Sequence, residues 1–298
     1  MTSQSARIPA AAPVFSLILG SPVSGLPYRG RFGDARPEAI APVILPPSSM
    51  PSHDGVRPLK AWRYVGVFGP ELMLCLGAVR IGRARQAFWA VWDRRVQRLH
   101  ERTVLGPGRV TLTRGAARLL DPDVQIDLEL EETAGIEAVC PTGQSYAWTR
   151  KQGGVRARGR VMIGGDPVTI DALAVIDDTA AYYERHTRWR WSAGAGRAED
   201  GRTLAWNLVA GVNDAPENSE RTIWIDGEPT EPEPCRFADD LSRVDALTFT
   251  PEATREHREN LLLVRSSYRQ PFGTFSGELD GLALAEGYGV MEDHDVWW

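Results

Sequence analysis

Short apolar runs alternate with turn-forming residues along most of the chain after residue 59. The runs are rich in Val, Ile, Trp and Tyr, which pack well on a pleated sheet and are typical of strands. They predict strands at residues 62–68, 72–81, 86–93, 124–131, 155–163, 168–176, 187–192, 203–212, 221–225, 261–268, 272–279 and 287–297.

The breaks between these runs have the composition of tight turns. Gly-Gly-Asp-Pro occupies residues 164–167, and Asp-Gly pairs begin at residues 200, 226 and 280. Gly and Asp tolerate the positive φ angles that hairpin turns require. The pattern therefore predicts antiparallel hairpins that follow one another along the chain.

Two stretches carry a weaker helical pattern. Residues 84–100 have loosely spaced apolar positions, and Thr250-Pro251-Glu252 resembles an N-cap, a first-turn proline and an early acid. We predict strands in both stretches, because β-branched and aromatic residues interrupt the helical spacing. A short helix before residue 261 is the alternative.

Residues 1–58 differ from the rest in their high density of proline, which sustains neither a helix nor a central strand. They predict an extended arm. The strands that follow are too numerous for one small barrel. We predict an all-β, antiparallel fold with two barrel or sandwich domains packed together, at residues 59–185 and 186–298.

Composition and charge indicate a folded protein and limit its possible partners and location. Of 298 residues, 43% are hydrophobic and 24% are charged, as in folded globular proteins, and the net charge of −5 argues against nucleic acid as a partner. No run approaches the roughly 20 apolar residues that span a membrane. Residues 9–19 resemble a targeting signal, but two prolines interrupt them and no cleavage site follows. These features predict a cytoplasmic protein.

The chain lacks the common signatures of metal, nucleotide and serine-nucleophile sites. Its three cysteines are far apart, which predicts buried, reduced thiols, and none of its histidines has metal-ligand spacing. Neither a nucleophile elbow nor a dinucleotide fingerprint is present. We therefore predict no metal and no cofactor.

Tryptophan is unusually frequent, with ten residues in the chain. Trp189 and Trp191 are two positions apart on a predicted strand, so both indoles point to one face and His186 points to the other. Together with Trp206 they predict an aromatic wall around an apolar ligand, within a barrel. The alternative is that these indoles only fill the core.

The segment 176–191 is the densest polar cluster. Asp177 or Asp178 is a candidate for a buried carboxylate whose raised pKa allows it to transfer protons, with His186 as its partner. The alternative is a loop in which the aspartates cap backbone donors and form ion pairs with Arg185 or Arg188.

A second cluster closes the chain, where Glu292 and His294 share one face of the last predicted strand. A carboxylate two residues from an imidazole can orient the ring and raise its basicity. The alternative is an exposed surface pair.

Polar and aromatic residues elsewhere complete the predicted ligand-binding set. Lys151 follows Tyr146 and Trp148 and is a candidate cation for an anionic group, while Asn207 and Tyr268 are further candidates. The alternative for residues 150–154 is an exposed hairpin turn, because two glycines end the segment.

Several of these stretches together resemble a known family. The segments 146–154, 186–191, 206–208, 268–277 and 289–294 are similar to the family called domain of unknown function 2804. The resemblance extends from about Leu26 to the C-terminus and transfers no catalytic residue.

An Asp-rich segment before Trp189-x-Trp191 and the closing Gly-Tyr-Gly-x-x-Glu292 pattern are also similar to lipocalin-like two-barrel proteins. That group includes carotenoid hydratases, AttH proteins and some fungal cyclases. The resemblance implies two lipocalin-like barrels and proton transfer on an apolar, isoprenoid- or lipid-like ligand without an organic cofactor.

Two functions fit these observations. The first is a cofactor-free hydratase, isomerase or cyclase that uses Asp177, Asp178 or Glu292 with His186 or His294. The second is a carrier that binds an apolar small molecule without reaction. An enzyme must place at least two titratable groups in one apolar cavity, whereas a carrier needs only isolated polar anchors.

Overall fold

The computed structural model describes residues 25–106, 108–261 and 264–298. Nearly all regular structure in this part of the chain is β-strand, apart from one 3-10 helix at Glu38–Ile40. The signal-like stretch at residues 9–19 and the first 24 residues of the predicted arm lie outside the described residues.

The strands follow one another with short connections. In chain order they are β1 (Tyr28–Arg31), β2 (His53–Asp54), β3 (Arg57–Pro58), β4 (Lys60–Phe68), β5 (Leu72–Ile81), β6 (Ala84–Asp93), β7 (Arg98–Leu105), β8 (Val110–Thr113), β9 (Ala116–Leu120), β10 (Val124–Leu130), β11 (Ile136–Thr142), β12 (Ser145–Ile163), β13 (Asp166–Ala181), β14 (His186–Ala198), β15 (Thr203–Ala210), β16 (Thr222–Ile225), β17 (Glu228–Thr230), β18 (Arg243–Val244), β19 (Leu247–Leu261), β20 (Val264–Leu279) and β21 (Leu282–Trp297).

These strands form two large antiparallel sheets. The first has eleven strands in the order β7-β6-β5-β4-β13-β12-β10-β9-β8, with β11 also paired to β12 and β1 paired to β11. The second has eight strands in the order β17-β16-β15-β14-β21-β20-β19-β18, and β2 and β3 form a separate hairpin. Each sheet curls into a lipocalin-like half-barrel, which confirms the predicted all-β antiparallel fold.

Alternation along the strands gives each sheet two buried faces. On β4, Val65 and Val67 point into the core of the first sheet, whereas Tyr64 and Phe68 point toward the second sheet. On β14, Trp191 faces the first sheet in the same way. An apolar layer therefore separates the two sheets, and each sheet also has a core of its own.

The described part of the proline-rich arm packs on the first sheet. Ile40, Leu45 and Met50 are buried against Trp148 and Tyr182. Trp148 and Tyr182 therefore pack against the arm, and they do not belong to the apolar layer between the two sheets.

Two segments for which a turn or a loop was the alternative interpretation form strands. Residues 150–154 lie within β12, where the pairing with β13 shifts between Gln152 and Val155. Gly154 supplies the positive φ of +68° at this bulge, so the two glycines mark an irregularity in a strand and the exposed-turn interpretation is wrong. The loop interpretation of Asp177 and Asp178 is also wrong, because β13 continues to Ala181.

The stretches with a weak helical pattern are strands, as predicted. Residues 84–100 form β6 and the start of β7, and Pro251 lies within β19. The register shifts between Pro251 and Ala253, and such a bulge accommodates proline because it removes one ladder hydrogen bond. The alternative of a short helix here is wrong.

The predictions for the turns and for the cysteines are confirmed. Gly164, Gly165, Gly201 and Gly281 all have positive φ angles in their turns. The three cysteines are buried and free. No helix within the described ranges is long and apolar enough to cross a membrane.

Candidate active site between the two sheets

A cavity of about 160 Å³ lies between the sheets, and residues from both of them form its wall. The sequence predicts such a cavity inside a barrel. That expectation is wrong, because Leu74, Val91 and Ile126 belong to the side chains that fill the interior of the first sheet. The cavity lies instead between the two sheets, next to the apolar layer that separates them.

Aromatic side chains from both sheets form the apolar part of the wall. Trp62 of β4 and Trp189 of β14 stack with ring centroids 6.4 Å apart and an interplanar angle of 8°. Behind them, Tyr64 contacts Trp191 edge-to-face at 5.2 Å. Trp189 and Trp191 share one face of their strand, as predicted, and the cavity walls contain both.

Glu292 of β21 is a buried carboxyl group in this wall. Its Oε1 accepts a hydrogen bond from Trp189 Nε1 at 2.8 Å, and its Oε2 accepts one from Gln270 Nε2 at 2.8 Å. Burial raises the pKa of Glu292 to about 7, although the hydrogen bonds from Trp189, Tyr268 and Gln270 act in the opposite direction.

His294 lies on the same face of β21 and also lines the cavity. Its Nε2 is 2.8 Å from Ser266 Oγ, and its ring is 4.3 Å from that of Trp189. Burial, helped by the positive charge of Arg255, lowers the pKa of His294 to about 3, so the ring is neutral near pH 7. The shared face is confirmed, and the surface-pair alternative is wrong because Glu292 is buried.

Lys151 lies on another part of the wall in contact with two carboxylates. Its Nζ is 2.6 Å from Asp177 Oδ1 and 3.3 Å from Glu220 Oε1. Burial opposes the charged form, but Asp177 and Glu220 together raise the pKa of Lys151. Lys151 is paired with Asp177 across β12 and β13, just before the register shift between Gln152 and Val155.

Further hydrogen bonds extend this charged group. Glu220 Oε2 accepts a bond from Asn213 Nδ2 at 3.0 Å, and the same Nδ2 donates to Tyr183 Oη at 2.7 Å. Trp62 Nε1 donates to Asp177 Oδ2 at 3.1 Å. Burial and the charge of Asp177 raise the pKa of Glu220, although Lys151 and Asn213 act in the opposite direction.

Two of the predicted catalytic residues lie outside the cavity wall. Asp178 points to the opposite face of β13 from Asp177 and pairs with Arg63 at 2.7 Å. His186 is exposed, lies 3.0 Å from Asp295 and stacks on Trp297 at 4.3 Å. The structure does not bring either residue together with Glu292 and His294.

The predicted ligand-binding residues also divide into two groups. Lys151, Trp189, Trp191 and Tyr268 line the cavity. The other four form hydrogen bonds elsewhere in the fold. Trp148 Nε1 donates to Glu137 at 2.9 Å, and Tyr146 Oη donates to Ile44 O at 3.2 Å. Trp206 Nε1 donates to Ser192 at 3.1 Å, and Asn207 accepts a hydrogen bond from Trp191 Nε1 at 2.8 Å.

Several cavity residues were not singled out from the sequence: Trp62, Tyr64, Tyr183, Asn213, Glu220 and Arg255. Trp62 and Tyr64 belong to a predicted apolar strand and the other four lie in polar stretches, so periodicity alone does not show that all six face one cavity. Lysine is rare in this chain, since only two of the 34 basic residues are lysines, and the structure buries both. Within the described ranges, no group of three or more His, Cys, Asp or Glu side chains is placed to hold a metal ion.

Solved structures with a similar course of the chain have low sequence identity. A protein described as AttH from Nitrosomonas europaea is 14% identical, with a TM-score of 0.47 over 84% of this chain and 98% of its own. Kievitone hydratase from Nectria haematococca is 12% identical, with a TM-score of 0.46 over 78% and 88%. CghA in complex with Sch210972 is 8% identical, with a TM-score of 0.42 over 84% and 93%.

Sequence comparison gives a family for this chain. No curated protein matches it. Residues 109–298 match the model of the family described as Domain of unknown function (DUF2804), and the match includes β14, β20 and β21, which carry most of the second sheet's share of the cavity wall. The chain therefore belongs to the DUF2804 family.

Proposed function

We propose that this protein is a cofactor-free enzyme that carries out acid–base chemistry on an apolar small molecule bound between the two sheets. The proposed reaction is a hydration, an isomerisation or a cyclisation, because each of these requires a proton to be added to or removed from the ligand. The observation that carries the proposal is Glu292, a carboxyl group with a pKa of about 7 in an aromatic cavity wall.

A pKa near 7 suits a group that transfers protons at physiological pH. The protonated and ionised forms of Glu292 are then both populated, so the residue can donate a proton in one step and accept one in another. Its hydrogen bonds from Trp189 and Gln270 fix the orientation of the carboxyl group. A fixed orientation favours transfer because little reorganisation is needed during the reaction.

The cluster around Lys151 is the second titratable group of the cavity. The ammonium of Lys151 can donate a hydrogen bond to a neutral oxygen of the ligand, while Asp177 holds the ammonium in position. An enzyme of this kind needs two separate ionisable groups in one apolar cavity, whereas a carrier does not need them. This arrangement supports the catalytic proposal over simple binding.

The wall indicates a flat, mainly apolar ligand. The parallel planes of Trp62 and Trp189 leave an extended aromatic surface next to the carboxyl group of Glu292. A cavity of about 160 Å³ compares with the roughly 150 Å³ apolar cavities known to bind benzene. We propose that the ligand places one unsaturated or ring portion here, as an isoprenoid- or lipid-like compound would.

A carrier is the second candidate. Each oxygen of Glu292 is already hydrogen-bonded to a side chain, which is also the arrangement of a structural carboxyl group. In that case the cavity binds an apolar small molecule, and Glu292 only maintains the shape of the wall.

Isotope incorporation separates the two candidates. The protein would be purified from its own source, and any bound compound would be identified by native mass spectrometry and extraction. That compound would then be incubated in D₂O with the wild type, with Glu292→Gln and with the control Glu278→Gln, which alters an exposed carboxylate on β20.

The catalytic proposal predicts deuterium in the compound with the wild type and the control, and a loss of at least about 100-fold in its rate of incorporation with Glu292→Gln. A compound retained at unit occupancy that acquires no deuterium with the wild type would refute the catalytic proposal and favour the carrier.

We further propose that the protein acts in the cytoplasm and does not bind nucleic acid. Three buried free thiols support a reducing compartment, and the net charge of −5 supports the second point. Fractionation of source cells followed by immunodetection tests the location, and a gel-shift assay at low salt tests the binding of nucleic acid.

A further inference from the structure

Arg255 of β19 is a buried guanidinium in the cavity wall. Its side chain is 3% exposed and lies between two aromatic rings, 4.4 Å from the centroid of Phe88 and 4.9 Å from that of Tyr268. All three residues line the cavity. The two rings hold the guanidinium in place through cation–π contact and packing.

The hydrogen-bonding capacity of this guanidinium is only partly used. Its Nη2 donates to Thr103 Oγ1 at 2.7 Å, and its Nε is 3.4 Å from Glu101 Oε2, which belongs to a side chain that is 36% exposed. Within the described ranges, Nη1 is buried and has no hydrogen-bond partner. Arg255 therefore has one ion pair, with a partly exposed carboxylate, and a buried Nη1 donor that still lacks an acceptor, which is costly unless a further acceptor satisfies it.

We infer that Arg255 is the binding site for an anionic oxygen group of the ligand, such as a carboxylate, an enolate or a phenolate. This inference rests on the proposed function, because it names the class of compound that the cavity receives. The ligand is then an apolar molecule with one anionic oxygen group, which binds Arg255 while the apolar portion contacts Trp62 and Trp189.

The other polar groups of the cavity favour Arg255 for this role. The positive charge of Lys151 is already balanced by Asp177 and Glu220. His294 is neutral near pH 7. Tyr64 is 5% exposed, and its hydroxyl has no hydrogen-bond partner in the described part of the chain, so it offers a second donor from the facing sheet.

Tyr268 connects this site to the proposed proton-transfer group. Its ring packs on Arg255, and interaction with its side chain raises the pKa of Arg255 and lowers the pKa of Glu292. An anionic oxygen of the ligand that is bound at Arg255 therefore lies on the same side of the cavity as Glu292. A proton could be transferred to or from the part of the ligand next to its anionic group.

A matched pair of unreactive probes tests the inference. The dissociation constants of 3-phenylpropionate and of the neutral 3-phenylpropionamide would be measured by the quenching of tryptophan fluorescence at pH 8. The wild type should bind the acid at least about tenfold more tightly than the amide, because hydrogen bonds to a charged group are the stronger ones. Equal affinity of the wild type for the two probes would overturn the inference.

Variants then show which residue causes the preference for the acid over the amide. Arg255→Gln should abolish it, Arg255→Lys should retain part of it, and the control Arg258→Gln should leave it unchanged, because Arg258 is exposed on the same strand. Circular dichroism checks that each variant is folded. A preference that persists in folded Arg255→Gln would also overturn the inference.

The result is separable from the test of the proposed function. Glu292→Gln should keep the preference for the acid, because Arg255 is intact in that variant. Isotope incorporation without a preference for the acid would refute only the anion site, and a preference without incorporation would refute only the catalytic proposal.

Discussion

Trp62 and Trp189 stack across the junction of the two sheets, and each indole donates a hydrogen bond to a different carboxylate. Trp62 Nε1 is 3.1 Å from Asp177 Oδ2, and Trp189 Nε1 is 2.8 Å from Glu292 Oε1. The stack therefore connects two carboxylates of the cavity wall, one from each sheet. A change in either indole should act on the carboxylate that it contacts and leave the other one unaffected.

The stability of the protein should depend on pH through Glu292. Because its pKa is about 7 in the folded protein and near 4.5 when unfolded, the unfolded state loses this proton first as the pH rises. This contribution is fully present below about pH 4.5 and is lost as the pH rises through 7, by an amount on the order of 3 kcal/mol.

Urea unfolding of the wild type and of Glu292→Gln at pH 5 and pH 8 measures this effect. The variant should gain stability relative to the wild type at pH 8, and the control Glu278→Gln should show no such change. A difference between Glu292→Gln and the wild type that is the same at both pH values would contradict the raised pKa.

Removal of one indole donor should shift the titration of Glu292 further. In Trp189→Phe, Oε1 loses its donor, so the ionised form is less favoured and the pKa should rise from about 7 to about 8. The pH at which stability levels off should rise with it. Trp62→Phe is the matched control, since its indole donates to Asp177, and an equal shift in both variants would argue against a specific hydrogen bond.

Lys151→Met should destabilise the protein strongly, because it leaves Asp177 and Glu220 buried without their cation. We expect a loss of about 3–5 kcal/mol at pH 8 and a smaller loss at pH 5, where Glu220 takes up a proton more readily. Adding Glu220→Gln should restore part of the stability.

Lys60→Met is the control for this substitution. The ammonium of Lys60 is also buried, but it donates to a single carbonyl oxygen, Tyr183 O, at 2.7 Å, so its loss should cost about 1–2 kcal/mol. Equal losses in Lys60→Met and Lys151→Met would show that the carboxylates near Lys151 do not decide the effect.

The two lysines should resist acylation in the folded protein. Lys60 is 1% and Lys151 2% exposed, so an amine-reactive ester should label neither until the chain unfolds. Intact mass spectrometry should find two additional labels in urea. Arg118→Lys, at a side chain that is 56% exposed, should add one label to the folded protein and so confirm that the reagent is active. Labelling of Lys151 in the folded wild type would contradict its burial.

The sequence was sufficient for the class of fold. Apolar runs of strand length, separated by residues that tolerate positive φ, depend only on local sterics and on alternation, and these properties are legible along the chain. The shared face of Trp189 and Trp191, and that of Glu292 and His294, follow from the same alternation. The division of the chain at residues 185 and 186 stays a prediction.

Local patterns were less informative for polar strands and for the bulge. Lys151-Gln152-Gly153-Gly154 has the composition of a turn, and only its pairing with β13 makes it the buried interior of a strand. Sheet pairing joins residues that are distant in sequence, so no property of the segment itself distinguishes the two outcomes.

By itself, therefore, the sequence determined that the chain forms antiparallel sheets with aromatic and acidic residues on particular faces. Only the tertiary structure decided which faces meet, and so which residues share a cavity. It brings Lys151 within 3.3 Å of Glu220, and it leaves His186 in solvent although His186 belongs to the same polar segment as Asp177. The physical reason is that burial and charge pairing arise from the packing of one sheet on the other, and that packing depends on the curvature and register of both.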